Sequence, residues 1–106
     1  MERVMAAELT VIWWRDIPAQ VVAKSGRTTA RVQLTDRFQE AIDLAATRVG
    51  LIGTDDYLAE WRRESRPCGD DLDEEAASEA HRLEQSYGDA ALDVLIRAGG
   101  SAEARS

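Results

Sequence analysis

The sequence predicts an α/β domain of the α+β type: a two-layer sandwich in which a mostly antiparallel sheet carries helices on one face, in the order β-β-β-α-β-α-α. Runs rich in Val, Ile and Trp near the N-terminus are typical of strands. A tight-turn signal joins two of these runs, which favours antiparallel pairing. Further along the chain, apolar residues recur at helical spacing. Strands followed mainly by helices indicate a sheet with helices packed against it.

The length of 106 residues leaves room for one domain. We expect that domain to cover residues 7–98, with flexible termini at 1–6 and 99–106. No apolar run approaches the roughly 20 residues needed to span a bilayer. Cys68 is the single cysteine, so the composition favours a cytoplasmic protein without disulfides.

Three N-terminal segments are predicted as strands. Leu9–Trp14 is apolar on both faces, which indicates an interior strand or one that is covered on both sides. Ala19–Lys24 and Arg27–Leu34 follow it, and the second of these alternates apolar and polar residues. Ser25 and Gly26 between them suit a tight turn, so this pair is predicted to form a β-hairpin.

The strongest helix pattern comes next. Thr35 or Asp36 can cap its start, and Gly50 suits its end. Its apolar stripe consists of Phe38, Ala41, Ile42, Ala45, Ala46 and Val49. We expect this stripe to pack on the sheet with Val32, Leu34 and Trp61.

Tyr57–Arg63 is ambiguous. Its alternation favours a strand, but a short helix capped by Thr54 or Asp55 also fits. We favour the strand. Residues 65–69 contain Pro67 and Gly69 and are predicted as a loop.

Two helices are predicted at the C-terminal end. Acidic residues between Asp70 and Glu75 are favoured by the helix dipole at the start of the first. Gly88 ends that helix, and Asp89 can cap the second, which ends at Gly99 and Gly100.

The charge is unevenly distributed. Residues 1–68 carry ten basic and ten acidic side chains, whereas residues 69–106 carry three and ten, which accounts for the net charge of −7. This balance argues against general nucleic-acid binding, which needs a basic field. The acidic third is interpreted as a solvated surface.

The sequence indicates no catalytic residues, no metal site and no cofactor. Cys68 and His81 could form a nucleophile–base pair, but no third orienting group accompanies them. The acidic run at 70–75 lacks the pattern of a calcium loop. There is no glycine-rich phosphate loop.

The candidate binding residues combine tryptophans with charged neighbours. Adjacent tryptophans on a strand face opposite sides, so one of them either contacts a partner or is covered by the rest of the chain. Arginines on the strands could form an anion site, or could pair with Asp16, Asp55, Glu60 and Glu64. The candidate set is Trp13, Trp14, Arg15, Asp16, Arg27, Arg31, Arg62 and Arg63.

Three runs resemble the bacterial "virulence factor" domain family. They are Ala7–Val21, Arg37–Asp43 with Ala45-Ala46, and Tyr57–Arg63. A similar domain occurs beside helical repeats in staphylococcal conserved virulence factor C, which implies an interaction or regulatory module. Small stand-alone alphaproteobacterial members occur near folate and corrinoid one-carbon genes, which implies an accessory partner of such an enzyme. The resemblance supplies no catalytic residues.

These observations favour a non-catalytic binding or accessory module, a small partner subunit of a larger bacterial protein. The alternative is a binder of an anionic small molecule through an arginine-lined sheet face. A small Cys68-dependent enzyme is the third reading. We expect a protein partner and no membrane association.

Overall fold

A computed structural model describes residues 7–101 of the chain. It contains four strands and four helices, which confirms the predicted fold class and its order, with one short helix in addition. In chain order the elements are β1 (Glu8–Trp14), β2 (Ile17–Ser25), β3 (Thr28–Gln33), α1 (Asp36–Arg48), α2 (Asp55–Ala59), β4 (Trp61–Pro67), α3 (Leu72–Ser86) and α4 (Asp89–Arg97).

The four strands form one antiparallel sheet in the order β3-β2-β1-β4. Two-residue turns join the first three strands. Gly26 opens the turn between β2 and β3 with φ of +60°, a backbone conformation that glycine adopts without strain. The predicted hairpin is therefore confirmed. β4 returns to pair with the outer side of β1, so β3 and β4 are the edges.

A β-bulge interrupts the pairing of β1 with β2. Ile12 lies opposite Gln20 and Trp13 opposite Pro18, so Ala19 is the extra residue. The carbonyl of Ala19 instead accepts from the backbone N–H of Leu34, just beyond β3.

The helices cover one face of the sheet. α3 packs on β2 and β3, while α1 packs on β2 and α4. Leu9, Val11, Val21 and Ala23 face these helices and are buried. The predicted helix-on-sheet cluster is confirmed for Leu34, Phe38 and Ile42, which belong to the core, and for Val32 and Trp61, which pack against it. Val49, predicted in the same stripe, is instead exposed at the end of α1.

Two helix starts differ from prediction. Thr35 precedes α1, but its side chain accepts no capping bond. Its backbone N–H and hydroxyl both donate to Glu84 of α3, at 2.7 and 3.0 Å, so a tertiary contact replaces the local cap. Gly88 is the N-cap residue of α4, and Asp89, predicted as its cap, is the first helical residue.

The segment Tyr57–Arg63 is not one strand, and this prediction is wrong. The Thr54 hydroxyl accepts from the backbone N–H of Tyr57, which starts the short helix α2, the alternative that a Thr54 cap allowed. The strand begins at Trp61 and continues through Pro67, into the predicted loop. Pro67 is tolerated because it is the last residue of an edge strand.

The packed chain extends beyond the predicted boundary at residue 98. Gly99 and Gly100 are buried, and the backbone N–H of Asp16 donates to the carbonyl of Gly100 at 2.8 Å. The other predicted flexible positions, residues 1–6 and 102–106, lie outside the described residues. None of the described helices is long and apolar enough to cross a membrane.

Candidate functional site

The sheet has a second face, on the side away from α3, which we call the open face; α2 covers its Trp14 end through Tyr57. Alternation and register place on it the residues that point away from α3. They are Glu8, Thr10, Ile12, Gln20, Val22, Lys24, Thr29, Arg31, Gln33, Arg63 and Ser65. Most of them are polar, and Thr10 and Ser65 hydrogen-bond across β1 and β4 at 2.7 Å.

Trp14, a candidate binding residue, is completely buried. Its ring lies 5.6 Å from that of Tyr57, and its Nε1 donates to the Tyr57 carbonyl at 2.9 Å. Gly100 also lies against this ring, because a Cβ at that position would come within 2.7 Å of it. Trp14 therefore cannot contact a partner directly, and it can affect binding only by supporting neighbouring residues.

Trp13 lies on the other side of β1. Its ring meets the edge of Tyr87 at 6.3 Å, and the Arg62 guanidinium lies 5.0 Å from its centroid. Its buried Nε1 has no hydrogen-bond partner among the described residues. The chain thus covers both tryptophans itself, which is the double-sided packing that strand alternation allowed.

Three more candidates, Arg15 and Asp16 in the β1–β2 turn and Arg62 on β4, form a polar network. Arg15 has φ of +54°, an uncommon conformation for a residue with a side chain. Arg15 pairs with Glu60 at 3.3 Å, and Arg62 pairs with Asp16 at 3.2 Å. The Nε of Arg62 also donates to the Arg15 carbonyl at 2.9 Å. These contacts hold the turn against the start of β4.

The remaining candidates, Arg27, Arg31 and Arg63, are exposed. None of them forms an ion pair with a described carboxylate, and neither does Lys24. Nη1 of Arg31 donates to Oε1 of Gln20 at 3.3 Å. By contrast, Arg15, Arg37, Arg62, Arg66, Arg82 and Arg97 all pair with carboxylates.

Arg31 and Arg63 do not converge on one point. Arg63 is on β4 and Arg31 is on β3, three strand spacings apart, or about 14 Å. They also lie in adjacent cross-strand rows, since Arg63 aligns with Ile12 and Arg31 with Val22.

A depression of about 500 Å³ lies beside Arg63, lined by Ile12, Gln20, Trp61, Arg62 and Arg63. Ile12, Gln20 and Trp61 were not among the binding residues predicted from the sequence. If β4 had been predicted to start at Trp61 and to pair with β1, Trp61 would have aligned with Trp14 and Arg63 with Ile12. That alignment would have placed Ile12 and Trp61 beside Arg63.

A second charged cluster lies between α3 and β4 on the helical side. Glu79 is 6% exposed, and Arg82 and Arg66 share its carboxylate. Hydrogen bonding from Arg82 holds the pKa of Glu79 below its ordinary value, in spite of burial, with Arg66 contributing. The three charges satisfy one another, so we interpret this cluster as structural.

Cys68 is a free thiol, and among the described residues no hydrogen bond joins it to His81. Burial raises the pKa of the Cys68 thiol, and the nearby Glu75 carboxylate raises it further, so the reactive thiolate is disfavoured. Among residues 7–101, no group of three or more His, Cys, Asp or Glu side chains could hold a metal ion.

Fold and surface together define a class: an α+β domain with helices on one side of a four-stranded antiparallel sheet and a polar, partly basic surface on the other. The chain belongs to the virulence factor family, whose model, described as "Virulence factor", matches residues 12–96. This confirms the resemblance seen in the three sequence runs. Neither the curated proteins nor the solved structures give a match.

Proposed function

We propose that the chain is a non-catalytic binding module, a small cytoplasmic partner subunit that joins a larger bacterial protein through the open face. One observation carries this proposal. Four arginines on the helical side are paired with described carboxylates, whereas Lys24, Arg31 and Arg63 on the open face are not. The four paired arginines are Arg37, Arg66, Arg82 and Arg97.

Unpaired cations around a partly apolar centre are typical of a recognition surface. Ile12 is half-buried, and Trp61 lies beside it in the depression. Tryptophan and arginine are enriched among the residues that dominate binding energy. The paired arginines around the β1–β2 turn support the surface by fixing the start of β4 next to Trp14.

The first prediction tests this surface with immobilised full-length protein and a bacterial lysate. Ile12→Gln should weaken capture of a partner about 30-fold, because removing a central anchor costs about 2 kcal/mol. Val94→Gln is the matched control, since Val94 is 65% exposed on α4. Both variants should keep a cooperative thermal melt.

Crosslinking mass spectrometry then locates the contact. Crosslinks from the partner should map to Lys24 on β2 and to neighbouring strand positions. If Ile12→Gln captures the same protein as strongly as the unchanged chain, and crosslinks map to the helices, the open face is not the binding surface.

The second candidate function is the binding of an anionic small molecule, which the depression beside Arg63 favours. Titration calorimetry with inorganic phosphate distinguishes the two. Saturable binding that disappears in Arg63→Ala would favour the small molecule. We expect none, because Arg62, the second arginine that lines the depression, is already paired with Asp16 and Glu64.

A further inference from the structure

We propose that the partner segment on the open face is acidic, carries one apolar anchor and crosses the strands from Arg63 to Arg31. This inference rests on the proposed function, because it specifies the occupant of the same face. Three properties of the face carry it: its charge, its size and the separation of its arginines.

Charge complementarity favours an acidic occupant. Among the open-face residues, Lys24, Arg31 and Arg63 are cations and Glu8 is the one carboxylate, a net charge of +2 in a chain of net charge −7. A second copy of the chain is a poor occupant. A two-fold dimer through this face would bring two positive surfaces together, and each whole chain is negative.

The size of the face favours a single segment over a globular surface. Four strands spaced about 4.8 Å apart and about six residues long give a face of roughly 400 Å². A standard interface buries about 800 Å² on each partner, so the area of this face is about half of what such an interface needs. One strand or helix of a partner protein fits it.

The separation of the arginines sets the spacing of the acidic groups. A distance of about 14 Å across the strands and about 7 Å along them puts the two Cα atoms about 16 Å apart. An extended chain covers about 3.3 Å per residue and its side chains alternate, so carboxylates that both face the sheet over this distance would lie about four or six residues apart. The depression at Ile12 and Trp61 lies next to the Arg63 end and receives the apolar anchor.

The second prediction uses a labelled synthetic peptide of about twelve residues, with a leucine midway between two glutamates that are about four residues apart, so that all three side chains face the same way. Fluorescence anisotropy should show that the full-length protein binds it more tightly than a peptide with glutamine in place of glutamate. Arg31→Glu and Arg63→Glu should each weaken binding about tenfold, since each loses an attraction and adds a repulsion. The double variant should lose about a hundredfold, because sites this far apart act independently.

The matched control is the double variant Arg48→Glu and Arg97→Glu, which makes the same charge change on α1 and α4. Both side chains are exposed on the helical side. This control should bind the peptide within about twofold of the unchanged chain, because it lies outside the face.

Several outcomes would overturn the inference. Equal binding of the acidic and neutral peptides would exclude an acidic occupant. A loss in Arg63→Glu alone, with displacement of the peptide by inorganic phosphate, would point to a small anion in the depression. Tighter binding of a single-stranded oligonucleotide would point to a nucleic acid. If the peptide fails while lysate capture still depends on Ile12, this inference fails and the proposed function stands.

Discussion

Glu79 is the only charged side chain that is buried among residues 7–101, and it lies between two arginines. Arg82 is on the same helix, three residues further along, whereas Arg66 comes from the edge strand β4. One carboxylate thus ties α3 to an edge of the sheet. Its lowered pKa shows that this arrangement favours the ionised form.

The third prediction follows from that pKa. A carboxyl whose pKa is lowered by folding contributes stability above its unfolded pKa, and loses it as pH falls through the folded value. Glu79→Gln should lower the free energy of unfolding at neutral pH by about 1–3 kcal/mol, since the arginines lose a charged acceptor. The variant should also lose less stability than the unchanged protein below about pH 4.3.

Urea unfolding at neutral and acidic pH measures both effects. Glu40→Gln serves as the control, because Glu40 is exposed on α1 and forms no ion pair with a described residue. Parallel stability profiles for the Glu79 variant and the unchanged protein would show that the carboxylate does not contribute as argued.

Strand alternation predicted that Trp13 and Trp14 face opposite sides, and the structure places them so. What covers each ring could not be predicted from neighbouring residues. Tyr87 and Tyr57 are 74 and 43 positions away from their tryptophans, and no local pattern encodes contacts of that range. The pairing of Arg62 with Asp16 is of the same kind.

At the scale of elements, the end of α4 is tied to the β1–β2 turn. Gly99 and Gly100 both have positive φ and accept hydrogen bonds from Arg15 and Asp16 through their carbonyls. Gly100 combines φ of +92° with close contact to the Trp14 ring. Glycine is required here because it adopts this backbone conformation without strain and because the Trp14 ring leaves no room for a Cβ atom.

The fourth prediction separates those two requirements. Gly100→Ala should lower the free energy of unfolding by about 2–4 kcal/mol, from backbone strain plus overpacking against Trp14. Gly53→Ala is the control, because Gly53 has φ of +80° but open space around its Cα. It should cost about 1–2 kcal/mol from strain alone.

Urea unfolding, followed by tryptophan fluorescence, gives both values. Equal costs in the two variants would mean that the chain shifts away from Trp14 without penalty. The contact would then not be tight packing.

The boundary between α2 and β4 shows why one strand was misassigned. Tyr57–Arg63 alternates as a strand should, and the same seven residues also suit a helical turn. The Thr54 cap selects the helix, and pairing with β1 selects the strand, so the chain uses both in succession. Local sequence preference does not show whether a helix cap or pairing with a distant strand contributes more to stability at each residue. For clear patterns such as β3 and α1, the sequence predicted the element correctly.

For the whole molecule, the fifth prediction concerns the core that joins sheet and helices. Ile42 is fully buried at the centre of α1. Ile42→Asp should unfold the domain, because burying an unpaired carboxylate costs more than the roughly 5–10 kcal/mol of stability expected for a domain of this size.

Leu44→Asp is the matched control on the same helix, since Leu44 is 55% exposed. It should melt within a few degrees of the unchanged protein. A cooperative thermal transition for the Ile42 variant would contradict this account of the core.

The fold class could be predicted because periodicity, turns and caps act locally. The open face could not, because its membership depends on the register of β4 with β1 and on which side α3 packs. Arg27, Arg31 and Arg63 were named from sequence. That these three lack a partner among the described carboxylates while six other arginines have one can be seen only from the positions of those carboxylates in the structure.

The division of charge between the two sides of the sheet makes the molecule an electric dipole. Lys24, Arg31 and Arg63 lie on one side, and the acidic first turn of α3 lies across the sheet on the other. At long range the negative net charge of the molecule repels an approaching anion. At close range the cations on the open face attract the anion toward the strands. Dissolved salt weakens both effects over a Debye length of about 8 Å at physiological ionic strength. Ionic strength would therefore change the orientation of an encounter as well as its frequency.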